Sequence, residues 1–164
     1  MKTKTIYVAG GCFWGVEAYY KKLKGIISTK VGYANGTTTN PTYKEVKSQK
    51  SKHVECVKIE YNPVVISLEK IREHFLRFVD PYSINKQGED EGIQYRSGIY
   101  YTDLEDETII KSYFSKVLKN NYVTEIKKLD NFYEGEEYHQ NYLDKNPNGY
   151  CHVNLNLIKP GELK

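Results

Sequence analysis

The chain has 164 residues, 24 Lys and Arg against 21 Asp and Glu, and a formal net charge of +3. That balance excludes a strongly basic nucleic-acid footprint, and no apolar run reaches the roughly 18 residues needed to cross a membrane. The length suits one domain, residues 1–164, with a sizeable core. The basic start Met1–Thr5 is followed by no long apolar region, so no signal peptide is expected. Three Cys, an odd number, do not build a disulfide framework and suit a reducing cytoplasm.

Ile6-Tyr7-Val8-Ala9 predicts a short strand leading into Gly10-Gly11-Cys12-Phe13-Trp14-Gly15. Val16, Tyr19, Tyr20 and Leu23 then recur at helical spacing, predicting a helix from about Phe13 to Lys24, with Gly25 as its stop. Cys12 therefore stands where a strand turns into a helix. The first-turn N–H groups of a helix lack intrahelical partners, and the helix dipole is positive there. A thiol so placed loses its proton more easily, and the thiolate is the nucleophile. Gly15, three residues on, excludes a C-x-x-C motif, and neither the P-loop nor the G-x-G-x-x-G pattern is present. Phe13 and Trp14 read either as core or as an apolar cup for a methyl or thioether group.

Ile26–Tyr33 reads as a strand, followed by a polar loop to Asn40-Pro41 and a short helical turn capped by Thr42 that carries Tyr43 and Val46. His53–Tyr61 alternates: Glu55, Val57, Ile59 and Tyr61 share one face, and Val54, Cys56, Lys58 and Glu60 the other. Glu55 is either a desolvated, protonated acid at the edge of a buried face or an exposed residue at the strand end. Cys56 reads as structural. Ser67 caps a helix with Leu68, Ile71, Phe75 and Phe78 on one side, ending at Val79-Asp80-Pro81. A long polar loop, Tyr82–Gln94, contains Gly88-Glu89-Asp90-Glu91-Gly92; loops of that length are usually functional or disordered.

Tyr95–Tyr101 predicts a strand, Leu104–Lys119 a helix, Tyr122–Leu129 a weaker strand, and Phe132–Leu143 a part-helical segment. Val153–Ile158 reads as a last short strand, with a loose end after Pro160. Cys151, in the turn-rich tail, is either a stray thiol or a resolving thiol that reaches Cys12. His53, His74, His139 and His152 form no zinc spacing with the cysteines. Together the elements give an α+β fold, a mixed sheet with helices packed on it. A Cys–His hydrolase and a Tyr-rich binding module remain alternative readings.

Six motifs carry a resemblance to one family: Gly-Cys-Phe-Trp-Gly at 11–15, Gly-Tyr-Ala-Asn-Gly at 32–36, Asn-Pro-Thr-Tyr at 40–43, His-Val-Glu at 53–55, Gln-Tyr-Arg-Ser at 94–97 and Tyr-His-Gln at 138–140. In this order they resemble the peptide methionine sulfoxide reductases of the A type, over Ile6 to about His152. The resemblance implies a two-layer α/β sandwich with a ferredoxin-like core and a long C-terminal coil. It implies reduction of the S epimer of methionine sulfoxide, free or in proteins, in protein repair under oxidative stress. Carried over by motif, Cys12 is the nucleophile, Glu55 the acid for the sulfoxide oxygen, Tyr43 and Tyr95 its hydrogen-bond partners, and Asp90 a supporting carboxylate. Phe13 and Trp14 match the methyl pocket, and Cys151 matches the resolving Cys. The implied enzyme binds no cofactor and uses thioredoxin, or a dithiol, as external reductant; it is taken as a cytoplasmic monomer without nucleic-acid or membrane partners. Val54, Cys56, Glu89 and Ile93 depart from the pattern without removing a catalytic group.

Overall fold

A computed structural model describes residues 2–164. Six strands form one mixed sheet in the order β7-β6-β1-β3-β2-β8. They are β1 (Lys4–Gly10), β2 (Ile26–Ala34), β3 (Val54–Tyr61), β6 (Ser97–Tyr101), β7 (Glu125–Lys128) and β8 (Phe132–Glu134). β1 pairs antiparallel with β3 and β6, β2 pairs antiparallel with β3 and β8, and only β6 and β7 run parallel. The strands β6-β1-β3-β2, with helices α1 (Phe13–Lys21) and α3 (Leu68–Phe78) as crossovers, make the ferredoxin-like core. A two-residue hairpin, β4 (Lys86–Gln87) with β5 (Asp90–Glu91), structures the long polar loop.

The alternation of β3 explains the layering. Val57, Ile59 and Tyr61 join the main core with Val16, Tyr19 and Tyr20 of α1, Ile71 and Phe75 of α3, and Ile110 and Phe114 of α4 (Leu104–Val117). Val54 and Cys56 face a smaller cluster with Tyr7, Ala9, Ala34 and Tyr100. Cys56 is fully buried there, in keeping with its reading as structural, although its face of the strand also carries Lys58 and Glu60. Glu55 therefore points towards the helices, and the open choice at that position resolves in favour of the buried carboxyl, which is 2% exposed.

Several boundaries differ from the sequence expectations. Helix α1 stops at Lys21, because the Lys22 and Leu23 amides turn back on Tyr19 and Tyr20 and Leu23 pairs with Leu163. Tyr95 ends a 3-10 turn, Ile93–Tyr95, before the strand begins. The part-helical segment opens as strand β8, then gives a 3-10 turn, Glu137–His139, and a short helix α5 (Tyr142–Lys145). Val153–Ile158 is not a strand. Asn154 caps a 3-10 turn, Leu155–Leu157, by accepting from the Asn156 amide, a local bond that competes with strand pairing. Nor is the end after Pro160 loose. Arg77 holds Glu162 through two bonds of 2.7 and 2.9 Å, and the Lys24 amide donates to the Glu162 carbonyl at 2.9 Å.

Candidate active site

The β1–α1 turn places Cys12 at the N-cap of α1. Gly11 makes the turn with φ +94°, a left-handed conformation that favours glycine. Cys12 is 7% exposed. Burial pushes its thiol well above the ordinary range, and the Glu55 charge adds to this. The Trp14 amide acts the other way but is outweighed. The helix start alone thus does not make a thiolate here, contrary to expectation: loss of solvent outweighs the first-turn donors. At neutral pH Cys12 rests as a buried, protonated thiol.

Glu55 approaches from β3. One carboxyl oxygen accepts from the Phe13 amide at 3.1 Å, so an orphan N–H of the first turn of α1 finds its partner there. Burial pushes the Glu55 carboxyl up to about 8, with the Phe13 amide opposing and Asp90 adding. At neutral pH the group is a buried carboxylic acid next to a buried thiol.

Tyr43 opens the short helix α2 (Tyr43–Lys47), whose start is fixed by a capping box between Thr42 and Glu45. Its amide donates to Glu136 at 2.8 Å. Burial, then the charges of Glu55 and Cys12, pushes the Tyr43 hydroxyl up to about 12, with Tyr95 opposing as a hydrogen-bond partner. Burial, followed by Glu55 and Tyr43, also raises Tyr95. Both phenols remain protonated donors at neutral pH. Cys12, Glu55, Tyr43 and Tyr95 thus form one mutually interacting group.

The other expected residues divide. Phe13 is fully buried, its ring between Tyr33 and His139 at 5.7 and 5.1 Å, so it is core as much as wall. Trp14 is half-buried, stacks on Tyr142 at 3.7 Å, and donates from its indole N–H to His139 Nδ1 at 3.0 Å. Asp90, on β5, accepts from the Tyr150 hydroxyl at 3.0 Å, so its bonded partner is the tail. All three cysteines are free. Cys151 is half-buried, and a Cβ added at Gly15 would stand 3.2 Å from its sulfur, so the tail thiol lies against the first turn of α1. A cavity of about 300 Å³, lined in part by Ala18, Leu143, Pro147 and Leu155, opens beside it.

Supporting residues outside the expected set hold this assembly. Glu136 binds both the Tyr33 hydroxyl, at 2.7 Å, and the Tyr43 amide. The Gln140 side chain bonds the Val31 amide and carbonyl, each at 2.9 Å, imitating one residue of a pairing strand. Glu17 joins Thr29 to the Asn141 amide at 2.8 Å each. Only Gln140 had a signal in the sequence, through the Tyr-His-Gln motif. Trp14 occupies His139 Nδ1 and the Gly10 carbonyl occupies His152 Nε2, so neither of these imidazoles offers that nitrogen to the Cys12 thiol as a hydrolase base.

A family profile described as peptide methionine sulfoxide reductase matches residues 4–162. The chain belongs to the peptide methionine sulfoxide reductase family. A relative from Ureaplasma urealyticum serovar 10, described as peptide methionine sulfoxide reductase MsrA, is 52% identical over 159 residues, covering 95% of this chain and 96% of the relative. The crystal structure of reduced Mxr1 from Saccharomyces cerevisiae superposes with a TM-score of 0.86 at 40% identity, over 93% of this chain and 92% of that one. The structure of Mxr1 in complex with Trx2 matches with a TM-score of 0.59 at 30% identity, over 86% and 85% of the two chains. The match extends to the sheet and helices of this reductase, which is a thiol-dependent enzyme acting on methionine sulfoxide. Among the described residues no helix is long and apolar enough to cross a membrane.

Proposed function

We propose that this reductase repairs the S epimer of methionine sulfoxide, protein-bound or free, as a single cytoplasmic domain over residues 1–164 that binds no cofactor and works as a monomer. The epimer follows from the resemblance to A-type members. The observation that carries the chemistry is the buried, protonated Glu55 beside the buried Cys12 thiol.

Glu55 gives its proton to the sulfoxide oxygen as the Cys12 sulfur attacks the sulfoxide sulfur. The thiol proton returns to Glu55, methionine leaves, and Cys12 becomes a sulfenic acid. Tyr43 and Tyr95 donate to the oxygen as the S–O bond breaks, and the sulfoxide methyl rests against Phe13 and Trp14. A neutral acid suits this step because a carboxylate could neither donate the proton nor tolerate the developing oxyanion. Asp90 raises the Glu55 carboxyl from a distance and supports the same state. Cys151 then attacks the sulfenic sulfur, water departs, and a Cys12–Cys151 disulfide forms. Thioredoxin is the proposed reductant of that disulfide, supported by the Mxr1 complex with Trx2; a small dithiol substitutes for it in vitro.

Cys12→Ser should abolish reduction of a peptide carrying one methionine sulfoxide. Cys151→Ser should still release one methionine per enzyme yet stall with thioredoxin. Retained turnover in the first variant overturns the nucleophile, and full thioredoxin-driven turnover in the second overturns the resolving thiol. Ester or amide hydrolysis without any reductant would favour the hydrolase instead.

A further inference from the structure

The two residues flanking Cys151 are both tied to the active-site loops. On one side the Tyr150 hydroxyl donates to Asp90 Oδ2 at 3.0 Å. On the other, His152 Nε2 lies 2.7 Å from the Gly10 carbonyl and, facing an acceptor, carries the proton. His152 Nδ1 is buried without a hydrogen-bond partner and stands 3.9 Å from the same Asp90 oxygen. The glycines of the opening motif make room for the imidazole: a Cβ at Gly11 would stand 2.8 Å from Nε2, and one at Gly15 would stand 3.2 Å from Nδ1. The His152 side chain is 4% exposed. A tail residue so deeply inserted between β1, α1 and the β4–β5 hairpin does more than fill space, because its neighbour in the chain is the thiol that must meet Cys12.

We propose that Tyr150 and His152 are positioning residues, a clasp on Asp90 and the Gly10 carbonyl that holds the Cys151 thiol against the first turn of α1 and so sets the rate of disulfide formation. The proposal rests on the sulfoxide-reductase reading above. The Cys151 thiol loses its hydrogen, the Cys12 sulfenic acid loses its hydroxyl, one S–S bond forms and one water leaves. Both oxidising equivalents come from the sulfoxide reduced in the first step. The clasp touches neither the sulfoxide nor its oxygen, and the Asp90 charge that raises Glu55 remains when Tyr150 or His152 is replaced, so methionine release keeps its rate without the clasp. With the tail free, Cys151 must search for Cys12, and the advantage of a pre-positioned nucleophile is lost. Burial lowers the His152 imidazole from its ordinary value, which keeps the Nε2–H neutral and directed at Gly10 at neutral pH.

The test is single-turnover chemistry with the full chain and a peptide carrying one methionine sulfoxide. Methionine release and the loss of two hydrogens from the intact protein are followed separately. In His152→Ala, and to a smaller extent in Tyr150→Phe, methionine release keeps its wild-type rate while disulfide formation slows by about tenfold, the effect of one lost positioning hydrogen bond. His152→Gln, whose amide can still donate to the Gly10 carbonyl, restores most of that rate. Disulfide formation at the wild-type rate in both His152→Ala and Tyr150→Phe overturns the clasp. An equal slowing of both steps also overturns it, since that marks a merely structural role. If His152→Ala does not fold, the ratio of the two rates in Tyr150→Phe and His152→Gln decides: an unchanged ratio in Tyr150→Phe overturns the proposal. Absence of methionine release in the wild-type protein would instead refute the reductase reading.

Discussion

At the scale of single residues the site depends on a carboxyl kept neutral. Folding raises Glu55 from 4.5 to about 8, chiefly by removing it from water. A group whose folded pKa is raised supports the fold fully below its unfolded pKa and loses that support as pH rises through the folded one. Stability should therefore fall between about pH 4.5 and pH 8 on account of Glu55, the same window in which the acid stays available for the proposed proton transfer. Two outcomes follow for Glu55→Gln. Turnover of a sulfoxide peptide should drop by about 10²–10⁴-fold, the usual range for a lost general acid. Its melting temperature, measured against the wild type from pH 5 to pH 8, should gain on the wild type as pH rises. In the wild type, activity should decline above about pH 8 as Glu55 ionises. Of these residues, Cys12 was legible from its motif alone, because two glycines before a helical pattern set a thiol at a helix start. Its protonation was not, since burial depends on the tail and on strand β3, far away in sequence. Glu55 was half-legible: alternation placed it on the apolar face, but only the sheet order told buried from exposed.

At the scale of elements, the first turn of α1 is where strand, helix and tail meet. Gly15 lies on the side that receives Cys151, and an added Cβ would stand 3.1 Å from a Val153 methyl and 3.2 Å from the Cys151 sulfur. Gly15→Ala favours the helix by up to about 1 kcal/mol yet forces the tail outward. The melting temperature should change little, while disulfide formation after the first methionine slows; mass analysis of quenched single turnovers measures it. A variant that closes its disulfide at the wild-type rate would show that the tail accommodates the methyl group. Helices α1, α3 and α4 and strands β1, β2 and β3 were readable because each carries its own periodicity. Strand β8 and the tail were not. Phe132–Glu134 pairs with Gly32–Ala34 because that edge of β2 is open, and only the assembled sheet reveals the opening. Val153, Leu155 and Leu157 alternate with Asn154 and Asn156 as a strand would, but Val153 and Ile158 insert as single anchors into the main core.

At the scale of the whole molecule, the chain end is fastened to the opposite end of α1 from Cys12, which makes residues 151–159 a strap fixed beyond Cys151. Glu162 is bound by Arg77 and lies 3.1 Å from Lys70. The Lys164 amide donates to the Lys22 carbonyl at 2.9 Å. Beneath it, the Tyr19 hydroxyl and His74 Nδ1 are 2.6 Å apart, and His74 Nε2 is 3.6 Å from Glu162. Arg77 holds the Glu162 carboxyl well below its ordinary value, and burial lowers His74 to about 4. Both shifts weaken the fold in acid. A depressed carboxylate stabilises the fold above its unfolded pKa and loses that contribution as pH falls. A buried imidazole with a lowered pKa must be charged on unfolding in acid, so it too weakens the fold as pH falls below its ordinary 6.5. The fastening should therefore loosen in acid. Glu162→Gln removes the charged partner of Arg77 and should cost about 2 kcal/mol at pH 7, as lost hydrogen bonds between charged groups do. The cost should hold down to about pH 4.5, the ordinary value of the carboxyl, and shrink by about pH 3, where the wild-type clamp weakens as well. Denaturant unfolding of both proteins at pH 7 and at about pH 3 measures this, and an equal difference at both would show that the Glu162 charge does not fasten the strap.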